Sequence, residues 1–125
     1  MSDSRRRQQE AICRRYGSSI VECGADLVLG VSRTIRDGLL PIQGVRISPS
    51  HGTCGWYVWA GDRSSDPEFF VPLHVQHLEE WCPTAIPYLL LAPGWRFQVA
   101  PQHEDVWFDP SVLLEIASRD DATDR

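Results

Sequence analysis

The spacing of apolar positions changes several times along this chain, and each change marks an element. In the opening segment Ile12, Cys13 and Tyr16 form one narrow apolar stripe, with Arg5, Arg6, Arg7, Arg14 and Arg15 on the polar side. That spacing predicts a surface helix, capped by Ser4 or Asp3 and ended by Gly17. Residues 19–23 and 27–35 read as strands, and Asp37-Gly38 as a turn. Pro41, Gly44, Pro49 and Gly52 then leave room only for a short strand over 45–47. Thr53 to Ala60 is the strongest strand, because aromatic and β-branched residues fit a pleated, half-buried surface. The polar run 61–67 is a loop.

Beyond it Asp66 and Pro67 can open one helical turn, and Pro72 can open a second helix. Val71, Val75, Leu78 and Cys82 repeat at helical spacing, with His74 and Trp81 beside them. Pro83 opens a further short helix reaching Leu90. Trp95, Phe97 and Val99 alternate as a strand does. After a loop over 101–104, residues 105–109 read as the second strand of a hairpin. Residues 111–117 predict a last short helix or strand, and 118–125 a frayed tail. The order predicts an α+β fold: a mostly antiparallel sheet with an N-terminal helix and a central helical pair packed on it. At 125 residues the chain reads as one domain, 1–125, with an ordered core over about 5–117.

The aromatic strand carries the functional question. Cys54, Trp56, Val58 and Ala60 lie on one face, and Tyr57 and Trp59 on the other. A strand apolar on both faces is either covered twice or leaves aromatics exposed for a ligand or partner. One of Trp56 and Trp59 is therefore expected at the surface, where tryptophan serves as an interface anchor. Trp107 similarly opposes Val106 and Phe108. The expected partner-binding set is Trp56, Trp59 and Trp107, with Asp62, Asp66, Glu68, Glu104 and Asp105 as a charged rim.

Charge sharpens that expectation. Residues 1–50 hold eight arginines against five acids, whereas 51–125 hold four against twelve, and there is no lysine. The aromatic half is thus the acidic half, which repels nucleic acid and favours a basic partner. No apolar run approaches the roughly 20 residues that span a bilayer, and no apolar segment follows the basic start. A cytoplasmic protein without membrane contact is expected. The four cysteines lack any C-x-x-C spacing and read as reduced, mostly buried thiols.

Candidate chemistry is thin. His74 and His77 on one helix can chelate a metal, with His51 and Cys54 completing a set, but the Glu of a hydrolytic zinc helix is missing. A hydrogen-bonded core histidine is the commoner role for His74. Glu79 and Glu80 point apart on a helix, and Glu104/Asp105 and Asp62/Asp66 have no accompanying histidine. No phosphate loop or nucleophile elbow occurs. A reactive Cys54 would need nearby positive charge in an acidic half. No catalytic residue, cofactor or metal is expected.

Several segments resemble immunity protein family 33, small α+β bacterial proteins found with polymorphic toxin systems. They are Val31-Ser32-Arg33-Thr34-Ile35-Arg36-Asp37-Gly38, Gly55-Trp56-Tyr57-Val58-Trp59-Ala60-Gly61-Asp62, Tyr88-Leu89, and Pro93-Gly94-Trp95-Arg96-Phe97. Together they span about residues 27–109. The resemblance implies a binder that neutralises a cognate toxin domain and performs no chemistry. Charge adds that the toxin is basic, for example a nuclease. Two other readings stand beside it: a small-ligand or peptide module with a groove of Trp56 or Trp59 and Trp95, and a metal-dependent enzyme using His74, His77 and Cys54.

Overall fold

The computed structural model describes residues 2–113. The expected tail, 118–125, lies outside the described residues, as does most of the element expected over 111–117, of which only the first turn is seen. Helix α1 spans Ser2–Tyr16, and six strands follow: β1 (Val28–Ser32), β2 (Ile42–Arg46), β3 (Thr53–Ala60), β4 (Phe70–His74), β5 (Trp95–Ala100) and β6 (His103–Phe108). They form one sheet in the order β4-β1-β3-β2-β5-β6. Only β1 and β3 run parallel; the other four pairings are antiparallel. Between β4 and β5 lie a 3₁₀ turn (Val75–His77), the one-turn helix α2 (Leu78–Trp81) and a 3₁₀ segment (Pro83–Tyr88). This is an α+β fold.

Helix α1 and the helical segments between β4 and β5 cover one face of the sheet. Leu29, Val31, Trp56, Val58, Phe97 and Val106 point from the strands into one core, which Ile12, Cys13, Leu78, Ala85, Tyr88 and Leu91 close from above. Burying each large apolar side chain there contributes roughly 1.5–3 kcal/mol. Close packing leaves no room at Gly44, where an added Cβ would stand 2.2 Å from the Phe97 ring. Helix α1 docks by its expected stripe, with Ile12 and Cys13 buried and Gln9 Nε2 donating to the Ile86 carbonyl at 2.9 Å. It ends where Gly17 N–H returns to the Cys13 carbonyl.

One core residue is an arginine. Arg46 is 1% exposed, and its guanidinium donates to the carbonyls of Cys54 (2.9 Å), Val21 (2.9 Å), Leu89 (3.1 Å), Leu91 (2.8 Å) and Glu22 (2.7 Å). Buried polar groups must find partners, and five carbonyls meet the planar donor fork. This explains why residues 19–23 are not the strand expected of them: Val21 and Glu22 turn their carbonyls to Arg46, leaving one isolated bridge, Ile20 to Leu91.

The second correction is β4, where the helical spacing of Val71 and Val75 predicted a helix. Val71 and Leu73 instead alternate into the core, and Phe70 to His74 pair along β1. Pro72 tolerates this because β4 is an edge strand. Lesser shifts follow from turns. β1 stops at Ser32, where Ile35 N–H closes onto the Ser32 carbonyl, and β6 starts at His103 because Pro101-Gln102 alone makes the turn.

Candidate partner-binding surface

The face of the sheet turned away from the helices is built in rows set by strand register. One row runs Pro72, Gly30, Tyr57, Val45, Arg96, Trp107 across all six strands. In the next, Trp59, Gln43, Gln98 and Asp105 are successive partners on β3, β2, β5 and β6. Over its middle, Val112 and Leu113 pack with Phe69 and Phe70 on Val45 and Trp59. On one side of that cover, Arg96 bonds Asp109 at 3.1 Å and stacks 5.5 Å from Trp107. On the other, Tyr57 meets Phe70 edge-on at 5.1 Å beside a groove of about 240 Å³ that Gly30, Phe70 and Pro72 help to line.

Neither Trp56 nor Trp59 reaches solvent, contrary to expectation: they are 1% and 2% exposed. Trp56 lies under the helices with Nε1 donating to the Leu89 carbonyl at 2.9 Å. Trp59 lies on the outer face but beneath the Val112 cover, with the Arg63 guanidinium 5.7 Å from its ring. A covering segment some 50 positions away in sequence leaves no trace in local alternation. Tyr57 is the aromatic of β3 that reaches solvent. Its place on the face opposite Trp56 follows from strand alternation. Trp107 is half-buried, and Leu39, Leu40 and Phe108 are exposed apolar side chains that the strand patterns did not single out.

The acids separate into two groups. Glu104 turns to the helix side, where its carboxylate accepts hydrogen bonds from Tyr16 and Tyr88, both at 2.5 Å, and pairs with Arg15 at 3.2 Å. Burial pushes its pKa up, but the two phenols and Arg15 outweigh that and hold it below the usual carboxylate value. Burial and then Glu104 push the Tyr88 phenol up in turn. Glu104 is therefore a clasp between α1, the 3₁₀ segment and β6. Glu79 likewise pairs with Arg5, so part of the charge asymmetry along the chain cancels in space. Asp62, Asp66 and Asp105 are exposed, with no ion pair among the described residues, and Glu68 only approaches Arg33 at 3.7 Å. Asp62, Asp66 and Glu68 sit in the loop between β3 and β4, at the end of the sheet that also holds Asp105.

The arrangement weighed for a metal, two imidazoles on one helix, does not form. His74 ends β4, His77 ends a 3₁₀ turn, their rings are 6.4 Å apart, and His74 is exposed rather than part of a core stripe. Cys54 is fully buried on the opposite face. Among the described residues no three His, Cys, Asp or Glu side chains converge as metal ligands. The positive charge thought missing near Cys54 is present as Arg46. The Cys54 thiol is drawn down in pKa, by a hydrogen bond from Cys23 first and by Arg46 less, while that same contact drives Cys23 up. Full burial keeps substrate from Cys54. Of the groove weighed between Trp95 and either Trp56 or Trp59, Trp59 lies on the opposite face from Trp95, and Trp56 shares its core but is 1% exposed; the groove that Trp56 does line contains no Trp95.

These features define a small α+β domain with one sheet face under helices and the other, among the described residues, covered in part by Val112 and Leu113, with Asp62, Asp66, Glu68 and Asp105 exposed toward one end of the sheet. The Imm33-like domain model matches residues 8–109, and the chain belongs to that family. No curated protein and no solved structure matched the chain. Among the described residues no helix is long and apolar enough to cross a membrane.

Proposed function

We propose that this protein is an immunity protein that binds and neutralises a cognate bacterial toxin domain without chemistry of its own. The observation that carries the reading is membership of the Imm33-like family across most of the chain. The contact surface is the open sheet face with its adjoining loop: Asp62, Asp66 and Glu68 at one side, Asp105 and Trp107 at the other. Adjacent strands lie about 4.8 Å apart, so β3 and β6 are roughly 15 Å apart and fit within one standard interface. Trp56 and Glu104 support this surface from behind, and Trp59 from within it beneath the Val112 cover. The exposed acids favour a basic toxin, such as a nuclease, acting where the protein resides in the cytoplasm.

Co-expression with the toxic domain encoded beside the gene tests this directly. Rescue of growth with a co-purifying complex is expected; a functional toxin that still kills, with no complex, removes the reading for that neighbour. Replacing Asp62 and Asp66 together by Arg should slow association about tenfold at low ionic strength and flatten its salt dependence. Association unchanged at low salt would take that loop out of the contact.

The groove beside Tyr57 favours a second reading, a small-ligand or peptide module. Fluorescence quenching across a panel of small molecules supports it, and a silent panel counts against it.

A further inference from the structure

The two edges of the sheet are not alike. In an antiparallel pair, alternate residues turn both N–H and C=O to the neighbour, and those between turn them outward. At β4, bonds from Arg33 N–H to the Phe69 carbonyl and from Val75 N–H to the Leu27 carbonyl set this alternation. Phe70, Pro72 and His74 are then the outward positions. Pro72, in the middle, has no N–H to offer, and a proline there blocks a further strand.

At β6 the two-residue turn Pro101-Gln102 and the bond from Asp109 N–H to the Gly94 carbonyl set the same alternation. Asp105 and Trp107 face β5, and Glu104, Val106 and Phe108 turn their backbone groups outward. None of the three is proline, and among the described residues no hydrogen bond reaches those groups. Phe108 is 49% exposed beside them. An unguarded edge next to an exposed aromatic ring is a template for strand addition.

We propose that the toxin partner docks by adding an extended, basic strand along β6, which rests on the immunity reading above. On such a strand, side chains over the outer face fall beside Asp105 and Trp107, so Lys or Arg there meets the unpaired Asp105 carboxylate. Alternate side chains fall beside Val106 and Phe108 and are apolar. A second copy of this chain is the poorer occupant, because it brings another net charge of −5 to an acidic edge.

Amide exchange measured by NMR on the full chain tests the edge. In the free protein the amides of Glu104, Val106 and Phe108 should exchange fast, and those of Asp105 and Trp107 slowly. Adding the catalytically inactivated toxin domain encoded beside the gene should slow the first three at least about 100-fold. Asp105→Arg should weaken that complex at least about tenfold while leaving the thermal midpoint unchanged. A complex that forms without slowing those three amides overturns the edge proposal and leaves the immunity reading intact. Slow exchange in the free chain also overturns it, since the edge is then already occupied; sedimentation of a dimer would identify the occupant as a second copy. Absence of any complex overturns the immunity reading, and this proposal with it.

Discussion

Trp56 and Trp59 sit three residues apart on one strand and are equally buried, yet they are buried in different ways. Trp56 lies in a core closed by helices, and its indole N–H is satisfied by the Leu89 carbonyl. Trp59 lies on the other face under a thin cover of Val112, Leu113 and two phenylalanines, and its N–H has no partner among the described residues. The helix side is built to hold the chain together. Among the described residues the outer side is covered where the turn at 111–113 crosses it, and Tyr57 and Asp105 are left to solvent. Stability is thus assigned to one face of the sheet, and the proposed partner binding to the other.

The hardest blow to that division falls on Arg46. Replacing it by Met keeps the volume but takes this donor from the buried carbonyls of Cys54 and Leu91 and the part-buried ones of Val21 and Glu22, while Leu89 keeps the Trp56 N–H. Urea unfolding should show a loss of about 3–5 kcal/mol. A loss under about 1 kcal/mol would mean that water replaces the guanidinium and that the helix side is less closed than described. Glycine to alanine compares the faces with one and the same change. At Gly44 the new methyl meets the buried Phe97 ring at 2.2 Å, and about 2–3 kcal/mol should be lost. At Gly30 it meets Tyr57 at 2.8 Å, but that ring is half in solvent and can swing aside, so about 1 kcal/mol or less is expected. Equal losses at the two positions would erase the contrast.

The tryptophans give a finer comparison. Trp56→Phe removes a satisfied hydrogen bond as well as ring volume, and should cost about 1–2 kcal/mol more than Trp59→Phe, which removes an orphaned donor. If Trp59→Phe is the costlier change, an ordered water holds its N–H and the outer cover is firmer than its side chains suggest.

How much of this was legible in the sequence depended on how local the cause was. The bounds of β3, its two-faced apolar pattern, the docking stripe of α1 and the β5–β6 hairpin all follow from alternation or helical spacing within a few residues. Arg46 was hidden because a charged residue in a short strand between Pro41 and Pro49 gives no local sign of burial; its partners lie on three separate segments. β4 was misread because Val71, Leu73 and Val75 satisfy a strand's period as well as Val71, Val75 and Leu78 satisfy a helix's. For the candidate surface, the acids of the 61–68 loop were picked out from charge alone, and they are exposed. Long-range pairing, Arg15 with Glu104 and Arg5 with Glu79, decided which other acids stay free.

Glu104 offers the smallest and most specific test, because it belongs to the holding side although sequence placed it with the binding acids. A carboxylate whose folded pKa lies below its unfolded value adds stability that is present above the unfolded pKa of about 4.3 and is lost as pH falls through the folded one. Burial opposes this shift at Glu104, and Tyr16, Tyr88 and Arg15 together overcome it. Glu104→Gln should therefore cost about 1 kcal/mol at pH 7 and leave a shallower decline of thermal midpoint below about pH 4.5 than the parent chain shows. Toxin association at pH 7 should stay unchanged, since the carboxylate faces the helices. Slowed association with an unaltered acid profile would move Glu104 from the clasp to the contact surface and break the division between the two faces at that residue.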